Sequence, residues 1–339
     1  MTLAAVQGQT RAVQVLRSAL QAGQVHHAWL FGGPVGVGKE ATAVGLAQAL
    51  LCNEAPSEGC GSCEVCVRVD RRLHPDVTWL LPGAEAVARG LVSKGEGTPS
   101  RELKVEQIRG LQERLSLRAL EGKRKLAILI AADSMNESAQ NALLKTLEEP
   151  PAETSIILLA AAPDRLLPTI RSRCARLAFA PLSTALIAEV IGRERKLAPE
   201  AALEVAALAA GSLGRARELD LDTVKSRSAI ITRFEEVGRS VSRLLRFAEA
   251  HGGSRADAEE VLELLRVWNR DVGLASVGAS GLVSADLASL AAEVAARLGP
   301  ANLHRRGELL AQARHAIVER NASARLQLER LLIDLMGMA

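Results

Sequence analysis

The sequence predicts an α/β domain built on a parallel sheet, followed by helical domains in the C-terminal half. A glycine-rich loop stands near the N-terminus between a short apolar run and a helix-forming segment. Short apolar runs then alternate with helical periodicity as far as about residue 180, a pattern typical of a parallel sheet covered by helices. From Pro181 onward the sequence predicts helices only.

The composition indicates a globular protein of two or three domains. The 339 residues are 48% hydrophobic but only 2% aromatic, so Leu, Ala, Val and Ile must fill the cores. Folds that stack bases on aromatic side chains are therefore disfavoured. A net charge of +3 is far from the dense positive field of a protein that binds nucleic acid mainly through phosphates, so any DNA contact should be local or shared with partners.

The sequence predicts no membrane-spanning or export segment. The longest apolar runs, 126–132 and 156–162, are far shorter than the roughly 20 residues that cross a bilayer. The N-terminus lacks a basic segment followed by an apolar one. We therefore expect a cytoplasmic protein in a reducing compartment.

The first elements follow from local patterns. Apolar residues at helical spacing predict a helix over 4–22 that ends at Gly23. Residues 27–31 predict a strand, and residues 41–51 predict the helix that follows the glycine loop.

The remaining elements are predicted in the same way. They are a strand over 76–81, a flexible loop over 83–101, a helix over 104–117, a strand over 126–132, a helix over 137–148 stopped by Pro150 and Pro151, a strand over 155–160 and a short helix up to Arg171. Beyond them we expect a small helical unit over 183–220 with a turn at 211–214, and a longer helical domain over 223–339 with a link near 273–284.

The glycine loop matches the phosphate-binding pattern G-x-x-x-x-G-K. Gly33, Gly36 and Gly38 would let backbone N–H groups surround phosphates, and Lys39 would reach the outer ones. The next position normally holds Ser or Thr, whose hydroxyl binds Mg²⁺, but here it is Glu40. A carboxylate beside phosphates adds repulsion, so we expect the loop to be degenerate and ATP to bind weakly or not at all.

Four cysteines within 15 residues predict a metal site. Cys52, Cys60, Cys63 and Cys66 offer four thiolates at a spacing suited to tetrahedral zinc, and a closed site of this kind is structural. The alternative is four free buried thiols. His74 is expected to be a solvated loop residue rather than a ligand.

Several segments together resemble a known family. HHAWLFGGPVGVGKE, the cysteine cluster, SMNESAQNALLKTLEEPPAET and LLPTIRSRCARL resemble the clamp-loader branch of the AAA+ ATPases, and within it the delta-prime family of bacterial DNA polymerase III. The resemblance is dense over 5–182 and fades beyond about 220. It implies an AAA+ P-loop domain over 1–180 with a zinc module at 52–66, a helical lid over 181–220 and a helical collar over 221–339 that joins a ring of five subunits.

The ATP-hydrolysing gamma and tau subunits share most of these motifs, so only the catalytic positions distinguish a delta-prime chain from a gamma or tau chain. Where active relatives carry the Walker B Asp and Glu, this sequence has Ile130 and Ala131. Asp133 remains an alternative metal-binding acid, but Ser134, which follows it, cannot act as a base.

Two further positions differ from active relatives. The polar residue that senses the γ-phosphate is replaced within Ala160–Ala161, and the sensor arginine of the lid is replaced by Gly214, although Arg215 is adjacent. Together with Glu40, these differences predict that the chain does not hydrolyse ATP.

One motif of the active site is retained. Ser172-Arg173-Cys174 matches the clamp-loader motif whose arginine reaches the γ-phosphate of ATP bound by the neighbouring subunit. The resemblance therefore implies that Arg173 acts in trans; the alternative is a solvated surface arginine.

Two other segments have open interpretations. Arg68, Arg71 and Arg72 are predicted either to contact DNA or an acidic partner or to form a solvated face. The aliphatic residues of the last helix, between Leu326 and Leu335, belong either to an internal core or to the collar.

The resemblance implies an accessory subunit of a DNA polymerase holoenzyme. Its partners would be the gamma/tau and delta subunits and, through the complex, the sliding clamp and primed DNA. Two alternatives remain: an active ATPase of the gamma/tau type, and a zinc-dependent DNA-binding protein with a decayed P-loop.

Overall fold

The computed structural model describes residues 2–93, 99–122, 124–238, 240–279, 281–318 and 320–337. Its strands are β1 (Ala28–Gly32), β2 (Val77–Leu80), β3 (Lys125–Leu129), β4 (Thr154–Ala160) and β5 (Ala175–Ala178). Its helices are α1 (Thr10–Gln21), α2 (Lys39–Leu51), α3 (Glu64–Asp70), α4 (Gly83–Ala88), α5 (Val105–Ser116), α6 (Glu137–Glu148), α7 (Pro168–Arg173), α8 (Thr184–Arg195), α9 (Pro199–Leu208), α10 (Leu213–Glu218), α11 (Leu221–Glu235), α12 (Val241–His251), α13 (Arg255–Ser276), α14 (Ala288–Val318) and α15 (Ala324–Met336).

The strands form one parallel sheet in the order β2-β3-β4-β1-β5. All residues of β3 and β4 are buried, which explains why both strands are continuous apolar runs rather than alternating patterns. Because all strands run the same way, the glycine loop after β1 and the segments after β3 and β4 leave the same edge of the sheet.

Helices cover both faces of the sheet, as predicted. On one face Trp29 and Phe31 of β1 share a core with α1 and α2. On the other face Ala28 and Leu30 share a core with α5 and α6. This alternation along β1 follows from the period of two in a strand.

The chain divides into two compact units, Met1–Ile187 with Gly211–Arg215, and Ala188–Ala210 with Ala216–Ala339. Among the described residues, all strands belong to the first unit and the second is helical. In the second unit α13 packs along α14, and α12 packs against α15. The division into three domains stays a prediction.

Four local predictions were wrong. β5 was missed because only Leu177 of its four residues is buried, which leaves a weak apolar signal. α4 lies inside the predicted loop, where the segment GAEAVA forms a turn of helix after Pro82; residues 94–98 of that loop lie outside the described residues. β3 ends at Leu129 rather than at the predicted residue 132, because Ala131 has a left-handed backbone. α13 continues to Ser276, into the link predicted near 273–284.

Candidate functional site

The predicted phosphate-binding residues lie together between β1 and α2. Gly36 and Gly38 have positive φ angles of 75° and 106°, which residues with a side chain rarely adopt. A Cβ atom at Gly33 would lie 2.2 Å from the carbonyl oxygen of Phe179. The glycines are therefore required by the backbone of this loop.

The Lys39 ammonium is hydrogen-bonded to backbone carbonyls of the glycine loop. Its Nζ donates hydrogen bonds to the carbonyl oxygens of Pro34, at 2.6 Å, and of Gly33. Only 9% of Lys39 is exposed, and this burial lowers its pKa to about 8, against the opposing effect of the Asp133 carboxylate. The side chain that would bind phosphate is thus hydrogen-bonded within the loop itself.

The segment 211–215 covers the same loop. The Gly214 N–H donates to the Gly36 carbonyl oxygen at 3.1 Å, and a Cβ atom at Gly36 would lie 2.2 Å from Ser212 Oγ. A Cβ atom at Gly214 would lie 3.0 Å from Gly36 Cα. Glycine at the predicted sensor position therefore permits a backbone contact that an arginine would obstruct.

Glu40 is held by two arginines. Arg89 Nη1 lies 2.9 Å and 3.0 Å from the two carboxylate oxygens, and Arg72 donates to one of them. The Arg72 guanidinium also stacks over the Trp79 ring at 4.9 Å. Burial and the nearby charge of Arg89 lower the pKa of Arg72.

Two of the three arginines of the predicted charge run therefore make internal ion pairs. Arg72 pairs with Glu40, and Arg68 Nη1 donates to Glu121 Oε1 at 2.8 Å. Arg71 is exposed.

The Walker B positions carry no oxygen in their side chains. Ile130 is buried, and its N–H donates to the Leu80 carbonyl at 2.8 Å. Asp133, the alternative metal-binding acid, accepts hydrogen bonds from the N–H groups of Ala161 at 3.2 Å and Ala162 at 2.8 Å. This carboxylate links the segments that follow β3 and β4.

The four predicted cysteine ligands converge. Their sulfur atoms all lie within 4.8 Å of one another, and the Cys52–Cys63 and Cys60–Cys66 pairs are both 3.9 Å apart. Sulfurs about 2.3 Å from a tetrahedral ion lie about 3.8 Å from each other, so the residues fit zinc. All four thiols are free rather than disulfide-bonded.

Backbone donors lower the pKa of Cys52 and Cys60, whereas burial and the neighbouring sulfurs raise the pKa of Cys63 and Cys66. The N–H groups of Ala55 and Cys60 point at Cys52 Sγ, at 3.3 Å and 3.4 Å. Although burial opposes ionisation, these bonds lower the pKa of Cys52 to about 6. The fifth cysteine, Cys174, lies apart, and burial raises its pKa to about 12.

The cluster is attached to the helix that follows the glycine loop. Cys52 caps the C-terminus of α2, and Gln48 of this helix donates to the Cys66 carbonyl at 2.8 Å. His74 is outside the cluster, as predicted, but it is buried rather than solvated, with its Nδ1 accepting from the Asp76 N–H.

Arg173 is the last residue of α7, and 36% of its side chain is exposed. Its Nη1 donates to the Thr169 carbonyl at 3.0 Å, and its Nη2 lies 2.6 Å from Glu148 Oε1. Sequence reasoning missed this partner. The only signal was an acid at the C-terminus of α6, where it opposes the helix dipole.

Comparisons with known proteins agree with the resemblance. The sequence model of the family described as "DNA polymerase III, delta subunit" matches residues 8–183. The delta-prime subunit of Pseudomonas aeruginosa is 33% identical over 318 residues, which cover 91% of each chain.

Two other relatives match a smaller part. The delta-prime subunit of Bacillus subtilis is 37% identical over 174 residues, which are 51% of this chain and 48% of that subunit. The gamma/tau subunit of Mycobacterium tuberculosis strain H37Rv is 32% identical over 220 residues, which are 63% of this chain and 35% of that subunit. None of the described helices is long and apolar enough to cross a membrane.

Proposed function

Because this chain belongs to the delta-prime family of DNA polymerase III, we propose that it is a clamp-loader subunit that does not hydrolyse ATP and that completes a neighbour's ATPase site with Arg173. The observation that carries the proposal is a contrast between two sites on the chain: its own phosphate loop, and the arginine that would complete the site of a neighbour. The groups of its own phosphate loop are engaged internally, whereas the Arg173 guanidinium reaches solvent.

The chemistry of phosphoryl transfer supports the first half of the proposal. Hydrolysis needs oxygen ligands for Mg²⁺ and a group that orients the attacking water. Ile130 and Ala131 supply neither, and the carboxylate of Glu40 is neutralised by Arg72 and Arg89. When bound to such a loop, a nucleotide would have to displace the carbonyl contacts of Lys39.

The properties of Arg173 support the second half. A guanidinium is always charged and presents a planar fork of donors that matches phosphate oxygens. Its contacts with Thr169 and Glu148 use two of its five N–H donors, so within the part of the chain that the structure describes three remain for an acceptor on another subunit.

The cysteine cluster supports a structural zinc ion held by Cys52, Cys60, Cys63 and Cys66. Four protein ligands close the coordination sphere and leave no position for a reacting water. The ion would fix the loop after α2 and the start of α3, without taking part in ATP chemistry.

In this proposal the partners are the gamma/tau and delta subunits, and the sliding clamp and primed DNA are reached through the complex in the cytoplasm. Residues 181–220 would serve as the lid and 221–339 as the collar of the ring.

The test is a clamp loader reconstituted with wild-type chain or with Arg173→Ala. An arginine finger supplied in trans contributes on the order of 10³ to 10⁵ in rate at the site it serves, although the other ATPase sites dilute the loss in the whole complex. We expect slower clamp loading and lower clamp- and DNA-stimulated ATPase with assembly intact. Arg165→Ala, which removes an exposed arginine just before the matched segment 166–177, is the control. Equal rates for Arg173→Ala and wild type would refute the trans role.

A further inference from the structure

The contact between Arg173 and Glu148 points to a role that the motif alone does not assign. We propose that Glu148 is a positioning residue, which holds the Arg173 guanidinium in the orientation that serves the neighbouring subunit. This inference rests on the proposed function of Arg173.

α6 fixes α7 at both ends. At the start of α7, the buried Gln140 side chain of α6 accepts from the Leu167 N–H at 2.7 Å. At the end of α7, Glu148 pairs with Arg173 at 2.6 Å. A six-residue helix has few hydrogen bonds of its own, so α7 is held by the burial of Ile170 and by these contacts from the longer helix.

Glu148 is itself well anchored. It follows Leu147, whose side chain is buried in the core beneath the sheet and whose carbonyl contacts His27 Nε2 at 3.1 Å. The backbone from which the Glu148 carboxylate extends is therefore held in place at the end of α6. Side chains that must meet a reacting group are most effective when a supporting contact locks their rotamer.

The neighbouring acid provides a contrast. Glu149 has the same charge and is also exposed, but within the described residues no ion pair involves it. Acids at the C-terminus of a helix are unfavourable unless a cation compensates them. Arg173 provides that compensation for Glu148, whereas no cation among the described residues pairs with Glu149.

The pair is suited to orientation rather than to folding. The Glu148 side chain is 48% exposed and that of Arg173 is 36% exposed, and pairs of this kind contribute little to stability. A variant at Glu148 should therefore fold and assemble, so that its effect appears in the rate at the served site.

The test compares Glu148→Ala with Glu149→Ala in the reconstituted clamp loader. A misplaced catalytic group can lose up to about 10²-fold in rate, and we expect about a tenfold loss at the served site for Glu148→Ala. The loss should fall on kcat, with KM for ATP unchanged, because the neighbour's own residues bind the nucleotide. Glu148→Gln, which keeps an acceptor oxygen, should recover part of the rate, and Glu149→Ala should match wild type.

A double-mutant cycle with Arg173→Ala separates the outcomes. If Glu148 acts through Arg173, adding Glu148→Ala to Arg173→Ala causes no further loss. A further loss, an equal rate for Glu148→Ala and Glu149→Ala, or a faster Glu148→Ala complex would overturn the positioning role while leaving the trans arginine intact. If Arg173→Ala itself has no effect on the rate, the proposed trans role of Arg173 is refuted, and the positioning role of Glu148 is refuted with it.

Discussion

Replacing Glu40 with alanine tests how the degenerate phosphate loop is stabilised. The change removes the carboxylate between Arg72 and Arg89 and leaves two guanidinium groups near each other. The charge of Arg89 already lowers the pKa of Arg72 together with burial, so the two cations repel. We expect Glu40→Ala to destabilise the first unit.

The magnitude follows from the exposure of the three side chains. Hydrogen bonds to charged groups contribute about 1.5 to 3 kcal/mol, whereas fully exposed ion pairs contribute only about 0.2 to 1 kcal/mol. The side chains of Glu40, Arg72 and Arg89 are 30%, 23% and 28% exposed, between these limits. We therefore expect the free energy of unfolding to fall by about 1 to 2 kcal/mol, and the loss to shrink at high salt.

The assay is urea unfolding followed by tryptophan emission, to which Trp79 beneath Arg72 contributes together with Trp29 and Trp268. Hydrogen exchange over α2 and α3 would show whether the loss is local. Glu85→Ala is the control, because Glu85 also pairs with Arg89 but is more exposed. If Glu40→Ala lowers the free energy of unfolding by less than about 0.5 kcal/mol, or by no more than Glu85→Ala does, the proposed stabilisation of the loop is wrong.

Three further predictions concern the metal, the lysine and the reaction. Freshly purified, reduced protein should contain about one zinc per chain by elemental analysis, and Cys63→Ser should lower both the zinc content and the stability of residues 52–72; protein without metal would contradict the site. Lys39 has a pKa of about 8, lower than its ordinary value, so the unfolded chain binds more protons between about pH 8 and 10.5 and stability should rise with pH in that window; Lys39→Met should flatten the rise in urea titrations. The isolated chain should show no ATP hydrolysis above background, and Glu40→Thr should not restore it, because Ile130 and Ala131 still lack oxygen ligands; steady turnover that is abolished by Lys39→Ala would refute this.

The sequence alone determined those features that depend only on residues close together in the chain. The strands β3 and β4 were predicted because both of their faces are buried, which requires continuous apolar residues. The cysteine cluster was predicted because its ligands lie within one short segment, where spacing restricts the geometry. α6 was predicted to its last residue, because Pro150 and Pro151 stop a helix.

Only the tertiary structure decided which charged groups meet. Glu40 contacts Arg72 and Arg89 because the segments that carry these arginines fold back towards the start of α2. No local sequence pattern predicts contacts between residues so far apart in the chain. Lys39 loses its ordinary pKa because the folded loop buries it. Arg173 meets Glu148 because α6 and α7, which β4 separates in the sequence, pack directly against each other. Burial and long-range pairing arise only when the chain has folded, so the sequence could indicate that Arg173 is a functional residue but not which residue holds it.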